Sequence, residues 1–121
     1  MPNEKYEPIT ESQYYILLCL SYRDSYGYEI MRLAKELSCG RVSIGPGTMY
    51  GALGNMIKKG WIIEVNKERK RRMYSLTSQG GDILDKEICR LETMLHCARH
   101  IGRAKPPSSA GADEGASGNI V

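Results

Sequence analysis

Apolar positions recur at helical spacing four times along this chain of 121 residues, and two short β-rich runs lie between the third and fourth recurrences. The first helix opens at Thr10-Glu11-Ser12-Gln13, a capping box in which Thr10 caps the helix and the Gln13 side chain reaches back to the cap amide. Ile9 and Tyr14 form a hydrophobic staple across that start, and Tyr14, Leu17 and Leu18 supply the apolar face. The second helix is expected to open at Asp24 or Ser25. Ile30, Leu33, Ala34 and Leu37 recur along it, and Gly40 is the stop signal just beyond its end.

The third helix begins at Gly45-Pro46, because proline tolerates the first helical position, where its missing amide hydrogen is not needed. Met49, Leu53, Met56, Ile57 and Gly60 fall on one side of it. Thr48, Ala52, Asn55 and Lys59 fall opposite, with Gly51 beside them. This outer face is polar and narrow, so the backbone of the helix can lie close to the base edges of a major groove. Two glycines inside a helix cost roughly 1 kcal/mol each relative to alanine, so Gly51 and Gly54 need a reason. Close approach to DNA is one, and tight packing against the first or second helix is the other.

Trp61-Ile62-Ile63-Glu64-Val65 and Arg71-Arg72-Met73-Tyr74-Ser75-Leu76 read as an antiparallel hairpin around Asn66–Lys70. Trp61, at the start of a strand beside the third helix, is expected in the core rather than in a ligand pocket. Thr77 caps a fourth helix that continues to about Ile101. Along it Leu84, Ile88, Leu91, Leu95 and Ala98 are spaced four, three, four, three, the seam that lets one helix pack along another. That helix outruns what a small domain can cover, which favours a homodimer over a seam against the first helix. From Gly102 the chain turns to Pro106-Pro107-Ser108-Ser109 and a Gly-, Ala- and Ser-rich stretch with little to bury, expected to be disordered.

A loop feeding a helix, then strand, basic turn, strand and capped helix is the layout of a winged helix-turn-helix. The expected class is therefore mainly α with a small β-hairpin, a winged helix-turn-helix followed by a dimerisation helix. The boundaries are an arm over 1–9, the winged domain over 10–80, the dimerisation helix over 81–102 and the tail over 103–121. The net charge of +3 is modest but unevenly placed. Lys58, Lys59, Lys67, Arg69, Lys70, Arg71 and Arg72 cluster against Glu64 and Glu68, which is the footprint of a polyanion partner.

The same residues resemble the PadR family of transcriptional regulators. The family's Gly-Thr-Leu-Tyr entry to its recognition helix stands here as Gly47-Thr48-Met49-Tyr50. Its Arg-rich wing ending in Tyr-x-Leu-Thr-x-x-Gly stands as Arg71-Arg72-Met73-Tyr74-Ser75-Leu76-Thr77-Ser78-Gln79-Gly80. The resemblance covers roughly residues 10–100. It implies a homodimeric repressor of the short type, bound to double-stranded DNA at a roughly palindromic operator. It also implies a small-molecule effector, often aromatic or toxic, held where the two copies meet. The family's His-Gly-Tyr motif at the start of the second helix, which meets the phosphate backbone, reads Tyr26-Gly27-Tyr28, so Tyr28 matches and Tyr26 departs.

The residues expected to meet DNA divide by chemistry. Thr48 and Asn55 can hydrogen-bond to phosphates or base edges, and an Asn amide can pair with the two groups adenine shows in the major groove. Lys58, Lys59, Arg69, Lys70, Arg71 and Arg72 can neutralise phosphates. Tyr28 and Ser43 join that set, as does Tyr50, whose ring is expected near the buried side with its hydroxyl reaching the DNA backbone.

No phosphate-binding glycine loop, nucleophile elbow or pair of framed carboxylates occurs, so an enzyme is the least favoured class and no cofactor is expected. His96-Cys97-Ala98-Arg99-His100 has spacing that two metal ligands could share. Histidines in a last turn also complement the helix dipole, and no metal is expected there. Cys19 and Cys89 are expected as small buried hydrophobes, Cys39 and Cys97 complete the four cysteines, and no disulfide rhythm connects them. The first residues lack a signal peptide's apolar stretch and no run is long enough to span a membrane, so the expectation is a cytoplasmic protein without a membrane partner. Two other classes remain. A winged protein-interaction module without DNA would have an apolar or acidic outer face on the third helix. A multidrug- or metabolite-binding protein would place aromatic residues on the fourth helix, and none occurs between Gly80 and Val121.

Overall fold

A computed structural model describes residues 7–66 and 71–101. Its element order is α1 (Glu11–Tyr22), β1 (Ser25–Tyr26), α2 (Gly27–Leu37), α3 (Pro46–Lys58), β2 (Ile62–Asn66), β3 (Met73–Leu76) and α4 (Ser78–His100). Both arms of the Thr10 capping box form: the Gln13 amide donates to the Thr10 hydroxyl at 3.0 Å, and the Thr10 amide donates to the Gln13 side chain at 2.9 Å. α1 is buried more widely than one apolar stripe requires, with Ile16, Leu17, Cys19 and Leu20 all in the core. Burial pushes the Cys19 thiol up to about 11, which keeps it protonated and unreactive.

The second helix does not open at Asp24 or Ser25. Ser25 and Tyr26 instead form a strand, pairing with Tyr74 and Met73, and the helix starts at Gly27. The Ser25 hydroxyl turns back to the Arg23 carbonyl at 3.0 Å rather than capping a helix. The cap is supplied from within α2, where the Glu29 carboxylate accepts from the Tyr26 amide at 2.8 Å. The expected hairpin is thus two strands of a three-stranded antiparallel sheet in the order β1-β3-β2. The other edge of β3 would be left unpaired without β1, and buried backbone groups require partners.

α2 ends through Cys39 and Gly40, both in the left-handed region at φ 57 and 82. Ser38 then fixes the path to α3: its hydroxyl accepts from the Val42 amide at 2.9 Å, and Val42 and Ile44 are buried. Thr77 ties α4 to the end of α3. Its hydroxyl accepts from the Gly80 amide at 3.0 Å and is 2.6 Å and 2.9 Å from the carbonyls of Gly60 and Trp61. A side chain at Gly80 would collide with the Trp61 carbonyl, so this junction requires glycine.

The core joins Ile16, Leu17, Ile30, Ala34, Met49, Leu53, Met56, Trp61, Ile62, Tyr74 and Leu84. Trp61 is in the core, as its position beside the third helix implied. The chain divides into two compact units, Met1–Cys89 and Arg90–Val121, with the division falling inside α4. Of the seam, Leu84 is buried and Ile88 half-buried in the first unit, whereas Leu91, Leu95 and Ala98 are exposed in the second. Cys89 is exposed, not buried, because it lies off the face that carries Leu84 and Ile88. Among the described residues no helix is long and apolar enough to cross a membrane.

Candidate nucleic-acid interface

α3 has one face in the core and one in solvent. Gly45 caps it in an extended conformation and Pro46 takes the first turn. Met49, Leu53 and Met56 are buried, and Gly47, Thr48, Gly51, Gly54, Asn55 and Lys58 are exposed. The solvent face is rotated from the expected one: Ala52 packs against the core, while Ile57 stands 38% exposed. Gly47, Gly51, Gly54 and Lys58 therefore run down the middle, with Thr48 and Asn55 on one flank and Tyr50 and Ile57 on the other. Among the described residues, no atom beyond the helix's own backbone lies within 4 Å of where a Cβ would stand at Gly47, Gly51 or Gly54. Packing against the first or second helix is thereby ruled out as the reason for the two internal glycines.

Beside this face is a groove of about 370 Å³ lined by Tyr26, Gly27, Tyr28, Tyr50, Arg71 and Arg72. The rings of Tyr26 and Tyr28 stack 6.1 Å apart and 4° from parallel, and the Arg71 guanidinium lies 4.9 Å and 5.8 Å from their centres. Tyr50 is half-exposed rather than near the buried side. Its ring leans on Gly27, where a Cβ would stand 2.5 Å from the Tyr50 hydroxyl, so the bare Cα lets α3 and α2 approach at this point.

The two described wing arginines differ. Arg72 is drawn back to the sheet, with its Nε 3.3 Å from the Glu64 carboxylate. Burial, and then the Glu64 charge, push the neighbouring Tyr74 phenol up, against a hydrogen bond from Arg72 that pulls it down. Arg71 instead reaches over the tyrosine rings. Two cations and three phenols around an open groove can take a phosphate oxygen and the sugar edge next to it.

Of the residues expected to meet DNA, Tyr28, Tyr50, Arg71 and Arg72 are brought together in this groove. Thr48, Asn55 and Lys58 share the solvent side of α3. Ser43 is exposed in the segment leading to that helix. Lys59 lies at the end of α3 with its ammonium 5.0 Å from the centre of the Trp61 ring, which gives its charge a partner inside the protein. Arg69 and Lys70 lie outside the described residues with Lys67 and Glu68, as do residues 1–6 of the arm over 1–9 and the whole tail over 103–121. Tyr26 also lines the groove, although as a departure from the family's histidine it was not among the residues expected to meet DNA. The available signal was two tyrosines flanking a glycine, a spacing that puts two rings side by side where a strand turns into a helix.

The profile of the Transcriptional regulator PadR-like family matches residues 16–86. The chain belongs to the PadR-like family. Among its relatives, Transcriptional regulator YqjI of Escherichia coli (strain K12) is 30% identical over 77 residues, 64% of this chain and 37% of its own. The chain spans well under half the length of the curated relatives it matches, 22% of one and 37% of another. A solved PadR family transcription regulator from Clostridium difficile R20291 is 29% identical, with TM-score 0.60 over 77% of this chain and 100% of that one. The structure of smu.1704 from Streptococcus mutans UA159 is 28% identical, with TM-score 0.64 over 84% and 99%.

The PadR-like match includes all of α2, α3 and the sheet, and so all six residues of the groove. The resemblance to the PadR family carried by Gly47–Tyr50 and Arg71–Gly80 is borne out by that match. Among the described residues no group of three or more His, Cys, Asp and Glu side chains could hold a metal ion. His96 and His100 stack with ring centres 4.1 Å apart, and the His100 Nδ1 lies 3.0 Å from the His96 carbonyl.

Proposed function

We propose that this PadR-like protein represses transcription as a homodimer bound to double-stranded DNA at a roughly palindromic operator. The observation that carries this reading is the solvent face of α3, where Gly47, Gly51 and Gly54 have open space above them and sit beside a groove bearing two arginines. Thr48 and Asn55 meet base edges or phosphates, Lys58 with Lys59 and the wing arginines neutralise phosphates, and Tyr28, Ser43 and Tyr50 hydrogen-bond the backbone. Arg69 and Lys70 extend the wing's charge. Pairing of two copies is supported by Leu91, Met94, Leu95 and Ile101, which are 38%, 56%, 51% and 73% exposed. Ala98, the half-buried Ile88 and the buried Leu84 continue that seam. Release by a small-molecule effector held between the copies completes the reading, in a cytoplasmic protein.

A footprint on the DNA upstream of the protein's own gene tests it, with protection of a twofold-related site expected and no preference over random duplex refuting it. Replacing Arg71 and Arg72 together by alanine should weaken binding to all sequences alike. It should also flatten the dependence of log affinity on log salt by about 1.8, the share of two phosphate contacts. An unchanged slope would remove the wing from the interface. Leu91→Glu should give monomers that keep a folded winged domain and lose operator binding, read by sedimentation and circular dichroism. A variant that stays dimeric and binds would refute the seam.

A further inference from the structure

We propose that Tyr26 is a positioning residue for the wing, its ring joining Tyr28 to hold the Arg71 guanidinium over the groove before any nucleic acid arrives. This rests on the reading that Arg71 meets DNA, and it deepens that reading at the one position where the chain departs from the His-Gly-Tyr pattern it resembles.

Four observations lead to it. The Tyr26 and Tyr28 rings are 4° from parallel and form one platform, and the Arg71 guanidinium lies within 6 Å of both centres, at 4.9 Å and 5.8 Å. That is the range in which a cation is attracted to the face of an aromatic ring. The backbone that carries the Tyr26 side of the platform is itself fixed, because Tyr26 pairs with Met73 in the sheet and its amide donates to Glu29 at 2.8 Å. The same strand pairing places Arg71 two residues from the paired position, within reach of the ring. Arg72 has a different anchor, the Glu64 carboxylate at 3.3 Å, so the two adjacent arginines are ordered by separate devices.

An unrestrained arginine loses much rotamer freedom when it is fixed against a phosphate. A guanidinium already resting on two rings has lost part of that freedom in the free protein, and binding is tighter by that amount. Tyr26 itself need not touch DNA for this. The effect is independent of base sequence, because it acts through a phosphate contact.

The test uses the full chain with its upstream DNA and with an unrelated duplex. Tyr26→Leu should weaken binding to both by about two- to fivefold, the worth of an exposed cation–ring contact. Tyr26→Phe, which keeps the ring, should bind as the wild type does. In an Arg71→Ala background, Tyr26→Leu should have no further effect, since the partner it positions is gone. In the free protein, the Arg71 side-chain NMR resonances should be displaced by the ring currents, should return to exposed positions in Tyr26→Leu, and should stay displaced in Tyr26→Phe.

Tighter or unchanged binding by Tyr26→Leu, with Arg71→Ala weakening it, overturns the proposal while the DNA interface stands, since the guanidinium then leaves the rings to reach its phosphate. If Arg71→Ala leaves both affinity and salt dependence unchanged, the wing contact and the positioning role fall together. Should Tyr26→Leu fail to fold, the wild-type resonances decide alone: an Arg71 side chain reorienting freely, with undisplaced shifts, overturns the proposal.

Discussion

Met49, Leu53 and Met56 on one side of α3 are 0%, 1% and 0% exposed, whereas Gly51 and Gly54 on the other have, among the described residues, no neighbour outside their own helix within 4 Å of a would-be Cβ. The inner side is explained by the chain itself, since these side chains fill the space between α1, α2 and the sheet. The outer side has no such explanation. Two other glycines make the contrast plain. Gly27 is bare because the Tyr50 ring rests on it, and Gly80 because the Trp61 carbonyl does. Those glycines answer to neighbours inside the fold. Gly51 and Gly54 have none among the described residues, so no part of the described fold accounts for a glycine-lined helix face.

The strongest way to break this comparison is at Leu53. Replacement by alanine removes three heavy atoms, Cγ, Cδ1 and Cδ2, at an enclosed site and leaves a cavity. It should destabilise the domain by about 2–5 kcal/mol, measured by urea unfolding. A loss below about 1 kcal/mol would mean that the inner face is loosely packed, and the asymmetry between the two faces would lose its meaning.

Asn55 tests the outer face directly. Asn55→Ala should leave stability nearly unchanged, because the side chain is exposed, and should remove about 1–3 kcal/mol of discrimination between operator and random DNA. Affinities for the two duplexes, measured side by side, decide it. An equal fall for both would assign Asn55 to the phosphate backbone, and no fall for either would take that flank of α3 out of the interface.

The order of helices and the two longer strands were legible in the sequence because capping and periodicity are local. Thr10 with Gln13, Pro46 after Gly45 and Thr77 before Ser78 each mark a helix start by contacts within a few residues. β1 was not legible, since two residues carry no periodicity and their pairing depends on β3, some fifty positions away. The rotation of α3 about its own axis was not legible for a related reason. Ala52 and Ile57 differ little in pattern from their neighbours, and only packing decides that the smaller one turns inward. The groove was half legible: its charges and Tyr28 stood out, whereas the platform needs Tyr26 placed by the sheet and Gly27 vacated for Tyr50.

The smallest predicted effect has the most diagnostic sign. Gly51→Ala and Gly54→Ala place a methyl group where none of the described residues outside the helix itself stands within 4 Å, so neither clashes with them. Alanine is favoured over glycine inside a helix by about 1 kcal/mol, and each variant should be more stable by up to roughly that amount. If the α3 backbone lies against DNA, the same methyl group stands between the helix and the groove floor, and affinity for the operator should fall. Stability and binding should therefore move in opposite directions, which no general damage to the fold can produce. Thermal melts beside binding titrations make the comparison. Variants that gain stability and bind as before would show that the helix does not approach DNA closely, and the two open glycines would then need another reason.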